Sequence, residues 1–166
     1  MNTSLIVPIE LPQGSFPLLL SLNFSCLDKL ILTRIQLDTE IPSKLDVLPE
    51  HIQKWARPLT HYFSNISHEI EIPHCLISKS DFQSRVLLAL KTIPYGETVT
   101  YGELAEKLNT HPRAIGQALK SNPLPLIYPC HRVVSKVGLG GFMGKSRGKQ
   151  CDLKLLLLQL ENNLFG

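Results

Sequence analysis

The sequence predicts an α+β protein, with a small N-terminal β-sheet domain at residues 1–77 and a largely helical domain at residues 78–166. Two short runs in the first half are rich in apolar and β-branched residues, which is typical of antiparallel strands. Apolar residues in the second half recur every three or four positions, which is the period of packed helices. With 166 residues, 43% of them hydrophobic, the chain can bury a core.

The first domain is predicted to contain a hairpin, a helix and an edge strand. Residues 16–24 and 30–37 form the two strands of the hairpin. Residues 49–57 carry apolar side chains at helical spacing, and we expect this helix to end before Pro58. Residues 68–73 alternate between polar and apolar side chains, which favours an edge strand that a proline ends. None of these segments indicates a chemistry.

Three helices are predicted to follow. Residues 82–93 hold apolar side chains every three or four positions and stop at Pro94. Thr100 and Glu103 have the spacing of a capping box, in which each side chain bonds a backbone N–H at the start of a helix. A third helix begins at Pro112, because proline is well tolerated at the first helical position. The last two helices form a helix-turn-helix pattern, which fits DNA binding but also an ordinary helical hairpin.

The final predicted helix, at residues 150–162, has leucines on nearly every side and is expected to be buried. Glu161 lies near its C-terminal end, where the helix macrodipole disfavours an anion. Either this carboxylate is simply solvated near the chain end, or it has a functional reason to be there.

Positive charge is concentrated in the last third of the chain. The formal net charge of +3 is mildly basic. Between Lys107 and Lys154, however, nine Lys or Arg residues face a single acid, Asp152. Such an excess fits contact with nucleic acid, and it also fits an ordinary solvated face.

The composition excludes several classes of protein. With 43% hydrophobic and 19% charged residues, the chain is neither disordered nor collagen-like. The first ten residues lack a basic segment and contain Pro8 and Glu10, unlike a signal peptide. The densest apolar stretch, residues 153–160, is far shorter than the roughly 20 residues that cross a bilayer. We therefore expect a cytoplasmic protein, or a nuclear one in a eukaryote.

The four cysteines stand at positions 26, 75, 130 and 151, and no pair has the C-x-x-C spacing of a zinc or redox site. Cys26 and Cys75 have apolar neighbours and are expected to be small buried side chains. A zinc site built from Cys26, Cys75 and His74 is the less favoured alternative, and we predict no metal.

Residues 122–134 carry the most specific chemical signal. Three prolines alternate with apolar residues there and lead to the pair Cys130 and His131. Proline restricts the backbone, and a nearby imidazole can accept the proton of a thiol. Adjacent side chains of an extended segment point to opposite faces, so this pair needs a turn or a bridging water. Taken alone, the pair is also compatible with a purely structural role.

Six short segments of the second half are informative as an ordered set. They are Ile93-Pro-Tyr-Gly-Glu-Thr-Val-Thr-Tyr101, Arg113-Ala-Ile-Gly-Gln-Ala-Leu119, Asn122-Pro123, Pro129-Cys-His-Arg-Val-Val134, Gly140-Gly-Phe142 and Lys154-x-x-Leu-Leu-x-x-Glu161. Together they resemble the O6-alkylguanine-DNA alkyltransferases, also called methylated-DNA-protein-cysteine methyltransferases. The resemblance covers residues 80–161, about half of the chain.

The resemblance implies a suicide reaction in which Cys130 accepts the alkyl group of O6-alkylguanine, and by extension of O4-alkylthymine, and is not regenerated. It implies that His131 is a water-mediated base and that Glu161 orients and charge-balances this imidazole. It further implies that Tyr101 donates a proton to the leaving base and that Asn122 braces the turn beside the cysteine. The reaction needs no cofactor.

The resemblance also implies a DNA interface. Arg113 matches an arginine that enters the duplex in place of the flipped nucleotide, and the small residues that follow it suit a helix in the minor groove. The implied DNA-binding residues are Arg113, Ala114, Gly116 and Gln117, and the implied pocket residues are Pro129, Val133 and Met143. Two departures from the family pattern are a shorter turn before Arg113 and Met143 in place of a small polar residue.

At the level of the whole chain, the resemblance implies a monomer that binds double-stranded DNA. It implies a winged-helix-like second domain and, from position alone, a ribonuclease-H-like first domain. Two alternatives are a protein that binds alkylated DNA without chemistry and a thiol hydrolase that turns over many times. Retention of Cys130, His131 and Glu161 argues against the first, and stoichiometry separates the second.

Overall fold

The computed structural model describes residues 2–9, 18–27, 29–38 and 50–162. The chain divides into two compact units, Met1–Ile77 and Ser78–Leu164. The architecture is α+β, with a small antiparallel sheet and a helix in the first unit, and helices with a two-stranded sheet in the second. No helix within the described ranges is long and apolar enough to cross a membrane.

The first unit contains a three-stranded antiparallel sheet in the order β1-β2-β3, followed by a helix. The elements are β1 (Asn2–Ile9), β2 (Leu18–Leu27), β3 (Lys29–Asp38) and α1 (Glu50–Phe63). The predicted hairpin is confirmed as β2 and β3. No element was predicted for β1, which contains Pro8. This proline is tolerated because β1 lies at the edge of the sheet.

Helix α1 continues beyond Pro58, contrary to the prediction that it ends there. Proline removes one N–H donor from a helix and crowds the preceding turn. That cost is offset because Leu59, Tyr62 and Phe63 in the second half of α1 are all buried. Tertiary packing thus overrides the local signal for a helix end.

The predicted edge strand at residues 68–73 is wrong, because the described structure has no strand there. Only an isolated bridge joins Leu32 of β3 to His74. Its two backbone hydrogen bonds run from Leu32 N to Pro73 O and from Cys75 N to Leu32 O, each 2.9 Å long. Pro73 has no N–H to donate, so the pairing is not extended into a ladder.

The prediction that Cys75 is buried is also wrong, because its side chain is exposed. Ile72 is buried whereas Pro73 and Cys75 are exposed. Alternate side chains of an extended segment point to opposite faces, and Cys75 therefore faces away from the core. The prediction for Cys26 concerns a side chain outside the described residues.

Over residues 78–162, the second unit contains four helices, a short 3₁₀ turn and a two-residue parallel strand pair. Its elements are α2 (Asp81–Leu90), β4 (Val99–Thr100), α3 (Tyr101–Lys107), α4 (Pro112–Lys120), the 3₁₀ turn (Cys130–Arg132), β5 (Val133–Val134) and α5 (Lys149–Glu161). All four predicted helices of this region are confirmed. Strand β5 contacts α3, and the 3₁₀ turn contacts α5.

Local sequence signals start three of these helices. Ser80 caps α2 by accepting a hydrogen bond from Gln83 N, and Thr100 and Glu103 form the predicted capping box of α3. Pro112 is the first residue of α4. The buried Gln83 side chain then ties α2 to α4, since its Nε2 donates to Ala118 O at 3.0 Å. The Gln83 hydrogen bond thus fixes α4 against α2.

Candidate active site

Cys130 is the first residue of the 3₁₀ turn that follows the proline-rich segment. The predicted turn at the Cys-His pair is therefore present. The thiol is buried, with 4% of the residue exposed, and the Cys130 N–H donates to Tyr128 O at 2.7 Å. Burial raises the pKa of Cys130, while a hydrogen bond from Asn122 and the charge of Lys154 act in the opposite direction. At rest this cysteine is a thiol rather than a thiolate.

Asn122 holds the two ends of the segment that precedes Cys130. Its Oδ1 accepts from Leu124 N at 3.0 Å, and its Nδ2 donates to Tyr128 O at 2.8 Å. Between these anchors, buried Leu126 has a φ of 77°, a conformation that costs a bulky residue free energy. The chain tolerates this strain because the buried amide of Asn122 fixes the surrounding backbone.

His131 and Glu161 form a buried pair that joins the 3₁₀ turn to the end of α5. The His131 Nε2 atom lies 2.7 Å from Glu161 Oε1, and the residues are 1% and 3% exposed. Burial lowers the pKa of His131, although the hydrogen bond and the charge of Glu161 act to raise it. The imidazole is therefore neutral at neutral pH and able to accept a proton.

Glu161 is not a solvated chain end. Arg132 reaches both of its oxygens, with Nε to Oε2 and Nη2 to Oε1 each at 2.9 Å. The Gly96 N–H donates to Oε2 at 3.1 Å, and Arg132 Nη1 donates to Ile93 O at 2.8 Å. These donors stabilise a carboxylate that the macrodipole of α5 disfavours.

The turn at residues 94–97 brings the Gly96 N–H to Glu161. A hydrogen bond from Glu97 N to Pro94 O closes this turn, and Gly96 has a φ of 77°. A β-carbon at Gly96 would also lie 3.2 Å from the Glu161 carbonyl oxygen. Glycine is required here both by the positive φ and by the close approach of α5.

Tyr101 is the first residue of α3, and its side chain reaches the loop after β5. The hydroxyl donates to Gly141 O at 3.1 Å. Burial raises the pKa of Tyr101, and the sulfurs of Cys130 and Cys151 add to this effect. The phenol therefore keeps its proton at neutral pH and can donate it to a partner in the cavity.

Sequence reasoning did not assign a role to Arg132 or Lys154. Both lie within segments that resemble the family and were counted in the basic excess of the last third, yet both are buried. Lys154 Nζ donates to Val133 O at 2.6 Å and to Gly141 O at 3.0 Å. Only their positions in the sequence could have indicated a role in the site. Arg132 directly follows the Cys-His pair, and Lys154 lies two turns of helix before Glu161.

A cavity of about 750 Å³ opens on Cys130. Tyr101, Arg113, Gly116 and Met143 line it together with the cysteine, so five of the predicted site residues meet at one place. The remaining cavity residues are Gly102, Pro112, Leu119, Lys120, Ser135, Lys136, Gly141, Phe142, Gly144, Lys145 and Ser146.

The other predicted residues lie behind or beside the cavity. Pro129 and Val133 are buried and do not line it within the described part of the chain. On α4, Ala114 is half-buried and Gln117 is exposed, and neither belongs to the lining of this cavity. The predicted site residues thus divide into those that line the cavity and those that lie outside its lining.

Met143 occupies the tip of a tight hairpin turn on the cavity wall. Phe142 and Lys145 exchange backbone hydrogen bonds of 2.8 and 2.9 Å, and both residues between them have positive φ, 48° at Met143 and 80° at Gly144. Such type I′ turns favour Asn or Gly at these positions. A β-carbon at Gly144 would lie 2.8 Å from the Lys120 side chain, which packs over the turn.

A buried thiol with a histidine–glutamate pair behind it defines a cysteine-dependent active site, and its cavity is lined by α3 and α4, the kind of helix pair that binds DNA. Residues 81–163 match the family model for the DNA-binding domain of 6-O-methylguanine DNA methyltransferase. The chain belongs to this methyltransferase family.

Individual relatives agree with this assignment. The chain is 47% identical over 115 residues to the methylated-DNA-protein-cysteine methyltransferase of Archaeoglobus fulgidus, an alignment covering 65% of this chain and 74% of that protein. It is 38% identical over 143 residues to the corresponding protein of Mycobacterium leprae, covering 80% and 81%.

Solved structures extend the similarity to nearly the whole chain. A variant of the Mycobacterium tuberculosis O6-methylguanine methyltransferase gives a TM-score of 0.72 at 30% identity, covering 98% of this chain and 93% of that one. The Mycobacterium tuberculosis OGT in complex with DNA gives a TM-score of 0.66 at 31% identity, covering 86% and 87%.

Proposed function

We propose that this protein repairs alkylated DNA directly, by stoichiometric transfer of the alkyl group from O6-alkylguanine to Cys130. The observation that carries the proposal is that Cys130 opens on the same cavity as Tyr101 and Arg113, while His131 and Glu161 are buried behind it. A cavity of about 750 Å³ is large enough for an extruded base. The same chemistry extends to O4-alkylthymine.

The reaction begins with activation of the thiol. Because Glu161 engages His131 Nε2, a proton that leaves Cys130 through a bridging water enters the ring at Nδ1. The sulfur electron pair then forms the S–C bond while the bond between that carbon and O6 breaks. The electron pair of the broken bond goes to the guanine, which takes a proton from the Tyr101 hydroxyl. Solvent then returns a proton to the Tyr101 oxygen and takes up the proton that His131 received. The thioether is stable, so each chain reacts once.

The proposed reaction requires the damaged base to leave the duplex stack. Extrusion costs a few kcal/mol and leaves a gap that a side chain must fill. Arg113 is exposed near the start of α4 and borders the cavity, which suits it to occupy that gap. The small residues Ala114 and Gly116 on the same helix allow close approach to the minor groove.

Transfer should be tested by intact-mass spectrometry after incubation with duplex DNA that contains O6-methylguanine. We expect one added methyl group per chain, located on Cys130 by peptide mapping. Cys130→Ala should abolish transfer while leaving DNA binding nearly intact, and Cys75→Ala, at an exposed cysteine, is the matched control. Turnover beyond one methyl per chain would favour a thiol hydrolase, and full activity of Cys130→Ala would refute the proposal.

The extrusion role is tested separately with Arg113→Ala. Transfer from duplex DNA should fall more than transfer from the free O6-methylguanine base, because only the duplex requires extrusion. Equal losses on the two substrates would contradict the role of Arg113.

The remaining proposals concern the whole chain. We propose that the second unit is winged-helix-like, supported by its α3–α4 pair and the loop after β5, and that the first unit is ribonuclease-H-like. We propose that the protein acts as a monomer in the compartment that holds the chromosome, which is the cytoplasm of a prokaryote or the nucleus of a eukaryote. Size-exclusion chromatography with light scattering, with and without DNA, tests the monomeric state.

A further inference from the structure

We infer that Gln83 is a positioning residue, which holds α4 in the place from which a base of bound DNA is presented to Cys130. This inference rests on the proposed function and adds a residue outside the site already described. Gln83 lies in the first turn of α2, and only 3% of it is exposed. It does not line the cavity that contains Cys130.

Each polar atom of the Gln83 amide has a fixed partner. Its Oε1 accepts from Lys79 N at 2.7 Å, and because an N–H can only donate, this contact sets which way the amide faces. Its Nε2 donates to Ala118 O at 3.0 Å, and to the Oγ and the carbonyl oxygen of Ser121 at 2.9 and 3.2 Å. A buried amide is costly unless its polar atoms are bonded, so this orientation is strongly favoured. The donors therefore face the C-terminal end of α4.

The apolar contacts of α4 do not by themselves fix its position. Ile115, Ala118 and Leu119 are the buried side chains of this helix. At its start, the N-cap residue His111 makes no side-chain hydrogen bond to the helix. Apolar burial is non-directional, whereas a hydrogen bond constrains both a distance and an angle. Gln83 therefore supplies a directional contact that fixes where α4 lies along and around its axis.

The same contact lies next to the segment that carries Cys130. Ser121, which Gln83 reaches, directly precedes Asn122. The Asn122 amide donates to Tyr128 O at 2.8 Å, and the same oxygen accepts from Cys130 N at 2.7 Å. Gln83 thus fixes the point where α4 joins the cysteine segment, whereas these hydrogen bonds inside the segment do not involve it.

This arrangement separates two requirements of transfer from DNA. The chemistry in the cavity depends on the cysteine segment and its own hydrogen bonds. Presentation of an extruded base depends on where α4 lies relative to that segment, because Arg113 and Gly116 on α4 border the same cavity. A displacement of about 1 Å can slow a reaction by about 100-fold. Loss of the Gln83 contact should therefore slow transfer from duplex DNA and leave transfer from a free base nearly unchanged.

The first test measures how firmly α4 is held, without DNA or alkylguanine. In Gln83→Met the side chain keeps its length but loses its hydrogen bonds. Hydrogen exchange followed by mass spectrometry should show exchange about tenfold faster in residues 115–122, with parental exchange in α5. Parental exchange of residues 115–122 in a folded Gln83→Met protein would overturn the inference, whether or not the protein repairs DNA.

The second test compares transfer from duplex DNA with transfer from the free O6-methylguanine base. For Gln83→Met, the single-turnover rate at saturating duplex should fall about tenfold or more. The rate with the free base and the dissociation constant for duplex DNA should each change less than about threefold, because neither the cavity nor the exposed cations are altered. A protein that is merely less stable would lose both rates together. Equal losses on the two substrates, or no loss on either, would overturn the inference.

A milder pair of variants does not require Gln83→Met to fold. Ser121→Ala removes the Oγ acceptor and leaves the two carbonyl acceptors. Transfer from duplex DNA should fall about twofold to fivefold, with a parental rate on the free base. Ser84→Ala is the matched control, because this half-buried serine of α2 loses a side-chain hydrogen bond to Ser78 and not to α4. Equal rates on duplex DNA for Ser121→Ala and Ser84→Ala would overturn the inference.

Discussion

At the scale of single residues, Glu161 shows how a locally unfavourable choice is explained by contacts distant in sequence. It ends a helix, where the macrodipole opposes an anion, yet it receives hydrogen bonds from Arg132, His131 and Gly96. The sequence singled out Glu161 as anomalous but could not identify Arg132 as its partner, because 29 residues separate them. Only the folded chain brings the two together.

Substitution of Glu161 by Gln should affect stability and transfer together. Arg132 would lose its buried partner, which costs about 3 kcal/mol or more of unfolding free energy. His131 would lose the group that raises its pKa and would accept the thiol proton less readily, slowing transfer about tenfold or more. Urea unfolding and single-turnover transfer from methylated DNA measure the two effects.

The matched control for this substitution is Glu106→Gln, which makes the same chemical change at an exposed position on α3. It should change the unfolding free energy by less than about 0.5 kcal/mol. A Glu161→Gln protein as stable and as fast as the parent would show that the buried cluster contributes to neither property.

His131 should make stability depend on pH in the acidic range. Burial lowers its pKa in the folded state below the unfolded value of about 6.5, so the unfolded chain binds the proton more readily. The stabilising contribution is therefore complete above about pH 6.5 and is lost as the pH falls toward the folded-state pKa. Thermal unfolding between about pH 8 and 5 should show a shallower decline for His131→Asn than for the parent. Parallel curves would contradict this assignment.

At the scale of elements, α4 contains a glycine, Gly116, that packing within the chain does not explain. Gly116 is half-buried on this helix and borders the cavity, and a β-carbon added there would meet no atom within 4 Å. Glycine weakens a helix interior relative to alanine. Packing within the chain therefore does not require glycine here, and we propose that the close approach of a DNA backbone does.

Gly116→Ala should stabilise the protein and weaken its binding to DNA. The substitution removes the entropic cost of a helical glycine, so the unfolding free energy should rise by about 0.5 to 1 kcal/mol. The added methyl would stand between α4 and the DNA backbone and raise the dissociation constant for duplex DNA. Gly102→Ala in α3 is the comparator for stability, since its β-carbon would meet only Thr100 Oγ1, at 3.6 Å.

Thermal melting and fluorescence anisotropy with a labelled duplex provide the two measurements for Gly116→Ala. A variant that is more stable and binds DNA as tightly as the parent would show that α4 does not approach DNA at Gly116. A less stable variant would show that the glycine serves packing.

The elements of the second unit were more predictable than those of the first for a physical reason. Helices α3 and α4 begin at signals carried within a few residues, the capping box at Thr100 and Glu103 and the proline at position 112. In the first unit, long-range contacts decide the outcome. Burial of residues beyond Pro58 extends α1, and the edge position of β1 accommodates Pro8. The sequence alone does not show which distant segments will pack against a given helix or strand.

At the scale of the whole molecule, the distribution of charge matters more than its sum. The net charge is only +3, but seven of the nine cations between residues 107 and 154 are exposed. The other two, Arg132 and Lys154, are buried in the site. Four of the exposed cations, Arg113, Lys120, Lys136 and Lys145, border the cavity. A duplex that presents a base to Cys130 must therefore bring its phosphates to this rim.

Binding to duplex DNA should consequently weaken steeply with salt and depend little on sequence. Each lysine that neutralises a phosphate contributes about −0.9 to the slope of log K against log salt concentration, because condensed counterions are released on binding. With Arg113 assigned to the gap in the duplex, Lys120, Lys136 and Lys145 are the rim groups expected to contact phosphates. Substituting each by Gln should make the slope less negative by about 0.9. Lys79→Gln, at an exposed lysine that does not border the cavity, should keep the parental slope. Anisotropy titrations over a range of salt concentrations measure these slopes. If removal of all three rim lysines leaves the slope unchanged, DNA must reach Cys130 by a path that avoids this rim.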